Sequence, residues 1–172
     1  MIAFYYEISK LISNIRVISD YRAKSEIDRG EQNIIPSVNL VDDPIAEKLL
    51  EDAGAEIALI MSGYFDGLVD EEGNELEGYE FDVTYLDEET YQATENCMVF
   101  RLNMPSSFNT KLIGSIDRSI KSALENFVLY KFFMMVHFEP GTYEKNYNED
   151  LEKIRYYIHQ RTSPIKRAYK LY

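Results

Sequence analysis

The side chains able to do chemistry in this chain are mostly carboxylates, and they crowd into one stretch. Residues 66–96 hold twelve Asp and Glu and no Lys or Arg. Within it, DGLVDEEGNELEG has the composition of a calcium loop. Setting Gly73 at the sixth position, however, puts Leu68 first and Tyr79 last, where ligating oxygens are required. The pairs Glu71-Glu72 and Glu88-Glu89 could serve acid–base or two-metal work, but no Lys, Arg or His accompanies them, so solvated turns are expected. His137 sits in an apolar run and is expected in the core. His159 lies on a helix flank and is expected at the surface. Cys97 falls in a strand pattern with no His near it in sequence, which predicts a buried structural thiol. There is no P-loop, GxGxxG or GxSxG. The expectation is a protein that is not an enzyme, with no cofactor and no metal.

Composition narrows the class. A chain of 172 residues with 45% hydrophobic and 28% charged residues suits a single folded domain spanning 1–172. A lone cysteine makes no internal disulfide, and MIAFYYEISK lacks the basic flank and apolar run of a signal peptide, so a reducing cytoplasm is expected. The net charge is −12, yet from Lys48 to Arg101 fifteen acids stand without one intervening base, and the remainder sums to +3. Phosphate contacts need cations, so that stretch is no nucleic-acid-binding face. It suits a surface that repels nucleic acid or meets a basic partner.

The elements that must carry these residues are mainly helical. The fold class expected is a bundle of about four helices with an inserted antiparallel β-hairpin. Phe4, Ile8, Leu11, Ile12, Ile15 and Ile18 predict a helix over about 4–25, with an extended connection after Gly30. Asp43-Pro44 opens a second helix, about 43–64, with Ile45, Leu49, Ala53, Ile57, Ile60 and Tyr64 as its apolar side; Gly54 within it predicts a close crossing by another helix. Over about 68–105 the period changes to two: Tyr79, Phe81, Val83 and Tyr85, then Met98, Phe100 and Leu102, predict a two- or three-stranded hairpin around DEET.

The stretch from Asn109 to Phe138 is the centre of the chain. Leu112, Ile113, Ile116, Ile120, Leu124, Phe127 and Val128 form a stripe, and FVLYKFFMMVHF is then apolar at ten of twelve positions. As one helix it would be roughly 45 Å long, with an end that is dry all round and buried in a core or a partner. The apolar run is too short to cross a bilayer, and no membrane contact is expected. After Glu139-Pro140-Gly141, a helix over about 142–161 is expected, capped by Thr142. Tyr143, Tyr147, Leu151, Ile154 and Ile158 make its buried face, and Glu149–Lys153 is an ion pair on its wet face. The tail 162–172 is basic and aromatic.

This order resembles a known family. The helix DDPIAEKLLEDAGAEI, an inserted hairpin, the long SIDRSIKSALENFVLYKFF and the Tyr-rich YEKNYNEDLEKIRYYIHQR with PIKR after it look like the head–tail connector, or adaptor, proteins of tailed bacteriophages. The likeness covers roughly residues 42–167; the N-terminal helix and the length of the acidic region depart from it. It implies a structural subunit of the phage neck, made in the bacterial host cytoplasm and placed in the virion. Such a subunit forms a homo-oligomeric ring matched to portal symmetry and contacts portal and tail or neck proteins, while DNA passes through without specific binding. In such a ring Asp70, Glu71, Glu72, Glu75, Glu77, Asp87, Glu88 and Glu89 would face the DNA channel or its rim, where carboxylates keep a duplex mobile. Phe132, Phe133, Met135 and Phe138, with Ile165, Lys166, Arg167, Tyr169, Lys170 and Tyr172 of the tail, would form the subunit or portal interface. The alternative is an acidic inhibitor or immunity-type protein that masks the basic surface of a nucleic-acid enzyme.

Overall fold

The computed structural model describes residues 2–28, 43–62, 79–87, 92–102, 104, 107–137 and 139–160. The chain is mainly α-helical with a minor antiparallel sheet. Its order is β1 (Ile2–Glu7), α1 (Ile8–Asp28), α2 (Asp43–Ser62), β2 (Tyr79–Asp87), β3 (Gln92–Leu102), a 3-10 turn (Thr110–Leu112), α3 (Ile113–Met135) and α4 (Thr142–Ile158).

The first residues correct the expected N-terminal helix: IAFYYE is a strand. It is rich in aromatic and β-branched side chains, and it buries Phe4 and Tyr6 while leaving Tyr5 exposed, the alternation of a half-covered strand. Phe4 therefore belongs to β1, not to the helical stripe. That stripe begins at Ile8 and buries Leu11, Ile12, Ile15 and the small Ser19, whereas Ile18 is exposed. The sheet order is β1-β3-β2, both outer strands antiparallel to the central one. The expected β2–β3 hairpin is present, and a third strand comes from the start of the chain. Phe100 pairs with Phe4 and with Phe81 across the two ladders. Over residues 97–102 the central strand is buried on both faces: Met98, Phe100 and Leu102 on one, Cys97 and Val99 on the other.

In α2 the buried line is Ala46, Leu50, Ala53, Ile57 and Met61; Ala53 and Ile57 are buried as expected, Ile45 is exposed, Leu49 and Ile60 are half-buried, and Tyr64 lies outside the described residues. Both lines fit a helical period, and the packing partners α3 and the sheet choose between them. Gly54 is buried.

The long helix is shorter than expected. Asn109 Oδ1 accepts a hydrogen bond from the Lys111 N–H and caps a single 3-10 turn, so α3 proper starts at Ile113. It stops where His137 takes a left-handed backbone, φ 57°. His137 is exposed rather than in the core, and His159 is exposed as expected. The end of α3 is not dry all round. Met134 and Met135 are half-exposed, and Lys131 Nζ lies 5.0 Å from the ring centres of both Phe127 and Tyr130.

The next turn is held by Gly141, whose φ of 60° and ψ of −123° suit glycine; it, not Thr142, is the residue that caps α4. Tyr147, Leu151, Ile154 and Ile158 are buried as expected, and Tyr143 half-buried. Phe133 and Tyr143 stack at 5.6 Å, and the Arg22 guanidinium of α1 lies 4.7 Å and 5.1 Å from their ring centres. One connected core takes side chains from β1, α1, α2, β3, α3 and α4.

Candidate interaction surface

The expected interface on α3 divides. Phe132 and Phe133 are 2% and 0% exposed, filled into the chain's own core against Tyr143 and α4, which corrects their assignment to a subunit or portal contact. Met135 is on the surface, 51% exposed, next to Met134 at 50%. A run of aromatic and Met residues cannot say in sequence which side of a helix its own fold will cover. Phe138 and the tail residues Ile165, Lys166, Arg167, Tyr169, Lys170 and Tyr172 lie outside the described residues. So do Asp70, Glu71, Glu72, Glu75, Glu77, Glu88 and Glu89; Asp87 is the last residue of β2, opposite Gln92.

Other apolar side chains reach the surface that the helical stripes do not account for. On α1, Val17 (66% exposed) and Tyr21 (77%) stand one turn apart on the side away from Ile8, Leu11, Ile15 and Ser19. Tyr5 is exposed on β1, Leu59 on α2 and Tyr156 on α4. Their signal in the sequence is plain only after the stripe is known: each is an apolar residue at a position where the period calls for a polar one.

Polar groups cluster between elements. Asp150, buried on α4, accepts hydrogen bonds from Ser122 Oγ at 2.5 Å and Asn126 Nδ2 at 3.3 Å on α3, and pairs with Lys153 at 2.7 Å. That displaces the expected Glu149–Lys153 pair; Glu149 meets Lys145 instead, at 3.7 Å. The pairing holds the Lys153 ammonium above its ordinary range, chiefly through the hydrogen bond to Asp150. At the β1–α1 corner, Tyr6 donates its hydroxyl hydrogen to Asp117, 2.8 Å from Oδ1. Burial, with the hydrogen bond and charge of Asp117 adding to it, drives the phenol pKa far up. Nearby, Asn14 donates to Glu125 at 3.2 Å, and burial raises the Glu125 pKa against the opposing pull of Asn14 and Lys121.

A cleft of about 310 Å³ opens beside Tyr5, Tyr6, Lys10, Asn14, Asp117 and Lys121. A wider groove of about 810 Å³ runs along the solvent side of α4 past Glu144, Lys145, Asn148 and Glu152.

Tyr6 gives its hydroxyl hydrogen to the Asp117 carboxylate, and Ser122 gives its own to Asp150. Cys97 is buried in β3. Among the described residues no three or more His, Cys, Asp or Glu side chains come together as metal ligands, and no helix is long and apolar enough to cross a membrane. No family model, curated protein or solved structure matches the chain.

Proposed function

We propose that this chain is a structural ring subunit of a tailed-phage neck, joining portal to tail and letting DNA pass. The observation that carries the reading is the order of elements: α2, the β2–β3 hairpin, the long α3 and then α4, the order on which the likeness to head–tail connectors rests. The exposed pairs Val17 with Tyr21 and Met134 with Met135 support it, since apolar side chains left outside a filled core are available to neighbours. In this reading the acids at 70–77 and 87–89 line the channel or its rim, and the basic tail docks on an acidic neighbour.

The test is negative-stain microscopy and light scattering on the purified chain, alone and with its portal. Closed rings on the portal are the expected result. A small one-to-one complex with a nucleic-acid enzyme, and no ring under either condition, would refute it and favour the acidic-inhibitor reading. Deleting residues 164–172 should leave the circular dichroism unchanged and abolish portal assembly.

A further inference from the structure

We infer that the outer edge of β1 receives the β2 edge of a second copy of this chain, so that the sheet continues from one subunit into the next. Its head-to-tail sense rests on the ring reading above.

Among the described residues, the sheet ends on β1 at one side and β2 at the other. One side of β1 is used by its ladder to β3, unbroken from Ile2 to Glu7. Among the described residues, no other backbone group bonds to Ile2, Ala3, Phe4, Tyr5 or Tyr6. The N–H and C=O groups on the far side of that strand meet no second strand among the described residues, which leaves that edge open to one. Proteins commonly blunt such an edge with Lys, Pro or a bulge. IAFYYE has none of the three, and carries its one charge at the last position. Tyr5, 53% exposed, sits in the middle of it.

The partner is argued from the other edge. Since β1 and β2 each run antiparallel to β3, they run parallel to one another. They also share a level on β3: Ile2 and Tyr79 both oppose Leu102, Phe4 and Phe81 oppose Phe100, and Tyr6 and Val83 oppose Met98. A copy generated by rotation about a ring axis offers its β2 to β1 in the same direction. At that level Phe4 would adjoin Phe81 and Tyr6 would adjoin Val83, so the apolar positions continue across the boundary. On the alternate positions Ala3 would adjoin Glu80, Tyr5 would adjoin Asp82, and Glu7 would adjoin Thr84. No acid meets an acid, although both strands are acidic. A contact between two different edges is heterologous, and it closes into a ring when the rotation per subunit closes.

Hydrogen exchange read by mass spectrometry, on dilute and on assembled protein, tests the pairing directly. The β1 amides should exchange at least about tenfold more slowly in the assembly, the factor given by each 1.4 kcal/mol of added protection. Tyr5→Lys should raise the concentration needed for assembly by about the same factor, with unchanged circular dichroism, while Tyr5→Phe should assemble as the parent does. Rings that form with β1 exchange unaltered, or Tyr5→Lys rings that form normally, would overturn the strand pairing and leave the ring reading standing. A chain that never assembles overturns both. A protected two-fold dimer overturns the head-to-tail arrangement in favour of β1 pairing with β1.

Discussion

Replacing Asp150 measures how α4 is fastened to α3. The carboxylate is 4% exposed and accepts from Ser122, Asn126 and Lys153. A hydrogen bond to a charged group contributes about 1.5–3 kcal/mol net. The 2.5 Å Ser122 contact should lie toward the upper part of that range, and the 3.3 Å Asn126 contact below it. Lys153 is half in water, so screening leaves its pair with Asp150 no more than about 0.5 kcal/mol. Against these stands the cost of keeping a carboxylate out of water, part of which Asp150→Ala recovers. The balance is a loss of about 3 kcal/mol, or roughly 6–12 °C in Tm for a chain of this length. Asp150→Asn keeps an acceptor for Ser122 and should lose about half as much. Thermal unfolding followed by circular dichroism at 222 nm reads both, and a cycle with Ser122→Ala should show coupling of about 1 kcal/mol or more. If Asp150→Ala changes stability by less than about 0.5 kcal/mol, desolvation cancels the hydrogen bonds, and this cluster does not fasten the helices.

Three further predictions concern other joints. Gly141→Ala forces a Cβ onto a backbone at φ 60°, 3.1 Å from the Arg22 guanidinium, and should lower the urea midpoint by an amount worth about 1–3 kcal/mol; an unchanged midpoint would contradict the turn geometry. Burial raises the Glu125 pKa above its ordinary 4.5, so the folded state holds that proton more tightly than the unfolded state does. Glu125 therefore costs stability as pH rises through the folded-state value and costs nothing below the ordinary one. Glu125→Gln should be the more stable protein at pH 7 and lose that advantage in acid, and a Tm difference independent of pH would contradict this. Tyr6 is raised from 10.0, so the unfolded chain ionises there while the folded chain does not, and stability must fall as pH climbs past that value. Tyr6→Phe should cost about 1.5–3 kcal/mol at pH 7 through the lost bond to Asp117, and should flatten the alkaline limb of the stability profile.

The stripes of α3 and α4 were legible in the amino-acid order because a helix writes its buried side locally. Ile116, Ile120, Leu124, Phe127 and Val128 recur every three or four residues whatever they pack against, and all are buried. The β2–β3 hairpin was legible for the same reason, its two alternating runs being neighbours in the chain. Contacts made at long range were not. Phe4 is four residues before Ile8 and continues a helical period as well as it alternates with Tyr6; what makes residues 2–7 a strand is β3, whose Leu102 lies opposite Ile2 at the far end of a hundred residues. In α2, two apolar lines share Ala53 and Ile57, and only the neighbours packed against the helix put Leu50 inside and Ile45 outside. Asp150 reads as one more wet-face acid until Ser122 and Asn126 of another helix supply its donors. Phe132 and Phe133 carry the composition of an interface, and a hydrophobic side chain is equally satisfied by its own core or by a partner. The chain's composition set how much apolar surface must be covered, and the packing of α1, α3 and α4 around Arg22, Phe133 and Tyr143 decided which of it remains outside.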